Sequence, residues 1–239
     1  SMCITKNDQH KWCLNFFKSK IKEFNFYLRE VVECCDQSML RFKTSTQGTE
    51  HTENKMVFAF SAFANTIQTL KDSGSIFLPT KITWGDIAGL RHGKFMGLSR
   101  NAATHDGHPI VTAWADGHYF VPADIHRFDS RGDLIKIVAP TEDVSQFCLE
   151  FSRDFGGFLA TRVRALGSME SAGFSIDEIE HGLQSRFVPE FARQLFRDRR
   201  SEIEKAMAEV KPDPAKDCLS ILMQVIEFCD ERLIASKMN

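Results

Sequence analysis

The chain has 239 residues, 43% of them hydrophobic and 26% charged, a balance that excludes a disordered or fibrous chain and is enough for a core of its own. A formal net charge of −2 excludes whole-molecule attraction to nucleic acid or anionic membrane, so any cationic binding surface has to be local. Phenylalanine outnumbers the other aromatics, 21 against 2 tyrosines and 3 tryptophans, and a ring without a polar handle belongs mostly in a core.

In chain order, residues 12 to 43 carry one apolar stripe at helical spacing: Leu14, Phe17, Ile21, Phe24, Leu28, Val31, Cys35, Met39 and Phe42. Thr44 to Asn54 is polar with a glycine and reads as a loop. A second helix is predicted over about 54 to 73, burying Val57, Phe60, Phe63, Ala64, Ile67 and Leu70, and ended by Asp72-Ser73-Gly74-Ser75. A third covers 83 to 105, from Trp84 through Ile87, Leu90 and Leu98, and ends at Asp106-Gly107. The period then changes: residues 110 to 114 and 119 to 121 read as strands around an Asp116-Gly117 turn, and Leu134 to Val138 as a third, forming a small antiparallel sheet that needs a helix to lie on.

Thr141 is the predicted N-cap of a helix reaching Leu166 and burying Val144, Phe147, Cys148, Phe151, Phe155, Phe158 and Val163. After Gly173, Ser175 caps a short helix, Pro189 opens another that reaches Val210, Lys211-Pro212-Asp213-Pro214 breaks it, and a last helix covers about 215 to 236. The fold class is therefore mainly α: a helical bundle with a small inserted antiparallel β-sheet (about 110–138) and a C-terminal helical extension (about 173–236). It reads as a single domain over 2–239, with a core of about 10–172 that includes the insertion at 108–140, and with a boundary near 170–175 as the alternative.

The seven cysteines (Cys3, Cys13, Cys34, Cys35, Cys148, Cys218 and Cys229) are odd in number, have no Cys-x-x-Cys spacing and fall mostly on apolar helical faces. That argues against a disulfide framework or structural zinc and for a reducing, cytoplasmic setting. No signal peptide and no apolar run near the length of a bilayer span is found. Ser1 before Met2 reads as a residue left by tag cleavage.

The chemistry concentrates in "SRNAATHDGHP", Ser99 to Pro109, where Arg100, Asn101 and His105 occupy the last turns of a helix before Asp106-Gly107. Arginine grips a phosphate through parallel hydrogen bonds, and imidazole, titrating near neutrality, moves a proton on or off a hydroxyl. Asn101 and His105 are four apart, so the amide can orient the ring. Arg100 and His105 are five apart and 140° round a straight helix, so a frayed last turn or a two-fold axis is needed to unite them. The competing reading is a polar helix C-cap.

"RNAATH", Arg100 to His105, resembles the Arg-x4–6-His signature of the HEPN superfamily in its form with Asn after the Arg, and "AFSAFANTIQTLKD", Ala59 to Asp72, looks like the second long helix of several HEPN-like families. The resemblance covers roughly residues 10 to 170. It implies an all-helical domain that dimerises with its motifs facing, and in many members a metal-independent endoribonuclease of toxin–antitoxin, phage-defence or RNA-processing systems. It implies Arg100 as the phosphate-binding residue, His105 as the general acid/base and Asn101 as the residue that orients them, with cleavage through a 2′,3′-cyclic phosphate. Thr104, His108, Arg91, His92 and Lys94 are added as substrate-binding residues.

The expected partners are RNA and a second copy of the chain, with a protein partner or antitoxin as a further candidate, and neither DNA nor membrane. Where one toxin subgroup has a modifiable tyrosine two residues after the histidine, this chain has Gly107. Members that have lost catalysis act as scaffolds binding RNA, a nucleotide or a protein, which is the alternative function.

No cofactor or metal is called for. There is no Gly-rich phosphate loop, Gly-x-Ser-x-Gly elbow or kinase signature, and His105, Asp106, His108, His118 and His126 lack a helical His-x3-His pair. His118 and His126 read as surface residues of the sheet. Arg193, Arg197, Arg199 and Arg200, interspersed with acids, read as a solvated helix face.

Overall fold

The apolar stripe near the N-terminus dictates a long helix, and a threonine three residues before an aspartate dictates where it begins. In the computed structural model, which describes residues 5–169, 174–210 and 212–238, helix α1 spans Lys6–Lys43. Thr5 and Asp8 form a reciprocal capping box, so the helix starts about two turns before the stripe does. Leu14, Phe17, Ile21, Phe24, Leu28 and Val31 are buried, but Phe42 at the end of the stripe is 44% exposed because the outer turns of α1 border an open cavity.

Helix α2, Glu50–Phe77, is longer than predicted at both ends. Thr49 caps it with Thr52, and the expected stop at Asp72–Ser75 stays helical. There Ser73 and Ser75 donate their hydroxyls to the carbonyls of Thr69 and Lys71 (2.6 and 2.7 Å), and Gly74 lets Ile82 approach closely. Phe60, Phe63, Ala64, Ile67 and Leu70 are buried as expected, with Met56 rather than Val57 completing the stripe.

The predicted third helix is in fact two, α3 (Trp84–Ala88) and α4 (Gly93–Asp106). Between them His92 takes a left-handed backbone (φ 58°), and a Cβ on Gly93 would stand 1.7 Å from the Ile87 carbonyl oxygen. Ile87 and Leu90 keep helical spacing across this turn, which is why periodicity misses it. The far end of α4 is as predicted: Gly107 (φ 67°) closes it, its N–H bonding the Ala102 carbonyl.

Two separate hairpins follow instead of one sheet. Strands β1 (Ala113–Ala115) and β2 (His118–Phe120) pair antiparallel through Asp116 and Gly117, both at positive φ, the primed turn that Asp-Gly favours. Strands β3 (Ile125–Phe128), which the sequence reading missed, and β4 (Leu134–Ile137) form the second. Buried Tyr119, Ile125 and Ile137 anchor the hairpins, and Trp114 Nε1 donates to Ser38 Oγ of α1 at 2.8 Å.

Helix α5, Val144–Arg164, is capped by Asp143, whose carboxylate accepts from the Gln146 N–H, and not by Thr141. Then come α6 (Ile176–Leu183, with the expected Ser175 cap), α7 (Glu190–Val210) and α8 (Pro214–Met238). Cys3, Gly173 and Lys211, together with Ser1 and residues 170–173 of the expected boundary, lie outside the described residues.

The described helices converge on aromatic contacts: Phe24 of α1 meets Phe63 of α2 and Phe155 of α5 with ring centres 5.2 and 5.7 Å apart. Helix α8 packs on α5 and α1, burying Cys218, Leu222, Val225 and Cys229, so it is part of the core. Helices α6 and α7 pack mainly on each other; α6 buries no residue and is tied to α1 by the Lys11–Glu178 ion pair. Among the described residues no helix is long and apolar enough to cross a membrane.

Candidate active site

The last turns of α4 pack against the middle of α2, and this fixes the arginine of the motif. Arg100 is half-buried; its Nε donates to Asn65 Oδ1 at 3.3 Å and its Nη1 to Asn101 Oδ1 at 3.0 Å. Thr104, one turn on, donates its hydroxyl to the same Asn65 oxygen at 3.0 Å. The guanidinium is therefore held by neutral amide oxygens, and among the described residues no carboxylate lies within 4.0 Å of it. The Asp72 carboxylate, beyond 4.0 Å, still feels its charge, and the remaining N–H groups make no hydrogen bond among the described residues and can meet an anion.

Asp106, the acid nearest in sequence, is engaged elsewhere. Arg127 of β3 forks onto it, Nε to Oδ2 at 2.5 Å and Nη2 to Oδ1 at 3.1 Å. That hydrogen-bonded guanidinium holds the Asp106 carboxyl below the usual carboxylate range, and the carboxylate in turn raises Arg127. The second hairpin thus supplies the cation that neutralises the motif's own acid.

The His105 side chain is exposed, makes no hydrogen bond among the described residues and interacts electrostatically with the Asp106 carboxylate. The frayed last turn expected from the sequence is absent, because Gly107 closes α4 in regular geometry and the His108 N–H also bonds the Ala102 carbonyl at 3.2 Å. Arg100 and His105 consequently lie on different faces of one helix end. The Asn101 amide serves Arg100 rather than the imidazole.

Beside this helix end opens a cavity of about 990 Å³. Ala103, Gly107 and His108 form its wall on the motif side, facing Arg41 and Phe42 of α1, Phe58 of α2 and Trp114 of β1. Of the substrate-binding residues expected from the sequence, Thr104 stands in the Arg100 row and His108 lines the cavity.

Arg91 and His92 do neither. Arg91 Nε and His92 Nε2 both lie 2.8 Å from Glu150 Oε2 on α5, Glu142 Oε1 is 3.5 Å from Arg91 Nη2 and 4.0 Å from His92 Nε2, and Gln146 donates to the other Glu150 oxygen at 3.2 Å. His92, Glu142 and Glu150 bring three metal-type ligand atoms within 4.8 Å of one another, a set that shares only His92 with the sequence-predicted site. The donor set fits an ion-pair clamp better than a metal, since Arg91 already occupies the Glu150 oxygen a cation would need. It pins the start of α4 to α5. Lys94 is exposed and borders a depression of about 260 Å³ shared with Lys136.

His118 Nδ1 pairs with Asp143 Oδ2 at 3.2 Å, while His126 is exposed. On α7, Arg197 pairs with Glu190, and Arg200 with Asp177, Glu180 and Glu204, as a solvated face should, whereas Arg193 is partly buried and also donates to the Ser185 and Val188 carbonyls ahead of the helix. Burial pushes the thiols of Cys218 and Cys229 up to about 12 and raises Cys148 as well, so these cysteines are core residues and not nucleophiles.

Sequence reasoning missed Asn65 and Arg127. Asn65 stands out within Ala59–Asp72 as an amide between buried Ala64 and Thr66, a place where a polar group needs a partner. Arg127 gave no signal, because its strand was not recognised. Compared with protein-family models, with curated proteins and with solved structures, the chain finds no match.

Proposed function

We propose that this chain is a HEPN-like endoribonuclease that works without a metal and acts as a homodimer. The observation that carries the reading is the half-buried Arg100, hydrogen-bonded to two amide oxygens and to no carboxylate, at the same helix end as an exposed His105 whose ring makes no hydrogen bond. A guanidinium tied into a salt bridge would be structural. One positioned by neutral acceptors is poised for phosphate.

Arg100 grips the scissile phosphate and offsets the charge that develops on it. His105 takes the proton of the RNA 2′-hydroxyl, or returns one to the leaving 5′-oxygen. The 2′-oxygen attacks the adjacent phosphorus, leaving a 2′,3′-cyclic phosphate and a free 5′-hydroxyl, so DNA resists. Because the two side chains lie on different faces of α4, a two-fold axis that sets two such helix ends against each other is the arrangement that unites them.

The separation of Arg100 from His105 within one chain also favours a second reading, a scaffold of the same fold that binds RNA, a nucleotide or a protein without cleaving. One assay decides: cleavage of single-stranded and structured RNA in excess EDTA by the native protein and by Arg100→Ala and His105→Ala. The ribonuclease reading expects activity that survives EDTA, cyclic-phosphate ends, and a loss of roughly 10²–10⁴-fold in each variant. No cleavage by the native protein overturns it in favour of the scaffold.

A further inference from the structure

The cavity at the end of α4 has aromatic walls. Phe58 is 66% exposed, Trp114 52% and Phe42 44%, whereas Phe60 and Phe63, close by on α2, are buried in the core. Phe42 and Trp114 meet edge to face with centres 6.0 Å apart, and the Trp114–Ser38 hydrogen bond fixes the indole. Phe58 also borders a second, shallower depression with Phe26 and Tyr27, so aromatic surface continues along α1 and α2.

Polar residues make up about half of the lining, and the charged ones among them are of both signs. Arg41 has no carboxylate within 4.0 Å among the described residues and stands next to the Tyr119 hydroxyl. Across the cavity lie the Glu53 carboxylate and the Asn54 amide. A fatty chain would leave Arg41 and Glu53 unsatisfied, and a bare phosphate would use neither the rings nor the carboxylate. An unstacked nucleobase uses all of them: its face on the rings, its N–H edge on Glu53 or Asn54, and its phosphate on Arg41. The volume lies at the upper end of small-ligand sites, roughly 300–1,000 Å³, which suits a nucleotide and part of its neighbour.

We propose that this cavity takes a splayed nucleobase of single-stranded RNA, stacked against Phe58 and Trp114 with its phosphate on Arg41, next to the phosphate that Arg100 holds. Its placement beside a scissile bond rests on the ribonuclease reading; the binding itself does not. Ala103, Gly107 and His108 line the cavity while Arg100 and His105 do not, so a strand leaving the cavity runs along the end of α4 to reach the motif. A duplex cannot offer a base to it, which makes the site a selector for unpaired RNA.

The test is fluorescence anisotropy with a labelled single-stranded 2′-O-methyl hexanucleotide, which the 2′-hydroxyl mechanism cannot cut, on the native protein, Phe58→Ala and Arg41→Ala. Oligomeric mass and cleavage of unmodified RNA are measured on the same three proteins. Both positions are surface-lining, and Phe58 is mostly exposed, so the fold survives its truncation.

Loss of the stacking ring is expected to weaken binding about tenfold. Loss of Arg41 is expected to weaken it and flatten its salt dependence. A duplex of the same length should bind Phe58→Ala and the native protein alike. No binding of the strand by the native protein, equal binding by the variants, or weakening that tracks a change in mass overturns the proposal; the last would mean that a second copy covers this face. Ring-dependent binding without any cleavage leaves the cavity assigned and removes the nuclease. Cleavage and binding unchanged in both variants do the reverse.

Discussion

Asn65 and Arg127 act on the motif through other residues, one by holding the guanidinium and one by occupying the acid beside it. Asn65→Asp puts a carboxylate where Arg100 now meets an amide oxygen. A half-buried ion pair there is worth on the order of 1 kcal/mol and competes with the substrate phosphate. The expected result is a KM raised about fivefold with little change in kcat, read from steady-state cleavage. A merely structural role would instead show as equal loss of activity and melting temperature.

Arg127→Ala frees the Asp106 carboxylate beside His105, and a nearby negative charge favours the protonated ring. The acidic limb of the cleavage pH profile should therefore move to higher pH, and Arg127→Lys should restore part of it. In the native protein the Asp106 carboxyl lies below its unfolded value of about 3.9, so the tie between α4 and β3 is present above that pH and lost as pH falls through the folded value. Carboxyl-carbon NMR of Asp106 checks this. A titration midpoint at or above the ordinary aspartate value would contradict the ion pair.

Among elements, the long amphipathic helices α1, α2, α5 and α8 were legible because each buries one stripe, and the stop of α4 was legible because Asp-Gly allows only a left-handed exit. What escaped was decided by close approach rather than pattern. The α3–α4 turn exists because the Ile87 carbonyl sits against Gly93, and nothing in the spacing of apolar residues reports that. The pairing of Arg100 with Asn65 depends on how α4 lies across α2, which periodicity does not give. Gly93→Ala is accordingly expected to cost at least about 1–3 kcal/mol, through the displacement of α4 that its methyl group forces. Denaturant unfolding measures the loss. Cleavage in this variant should fall further than in Gly157→Ala, where a Cβ meets nothing within 4 Å.

For the whole molecule, the question is how two side chains on different faces of one helix serve one phosphate. The single chain offers Arg100 in the α2–α4 seam and His105 at the exposed end of α4, and the Gly107 cap keeps the last turn between them in regular helical geometry. If two copies share the work, each cleft takes its arginine from one copy and its histidine from the other. Arg100→Ala and His105→Ala proteins, each inactive alone, would then complement on mixing. A mixed dimer has one cleft with both functional groups and one with neither, so with random exchange about a quarter of native activity returns. Subunit exchange is promoted by dilution and reconcentration and followed by mass, and cleavage is read afterwards in EDTA. Recovery places the two groups of a cleft on different copies. Mixed dimers that stay inactive confine each arginine to the histidine of its own chain, which on a regular α4 would leave no working pair.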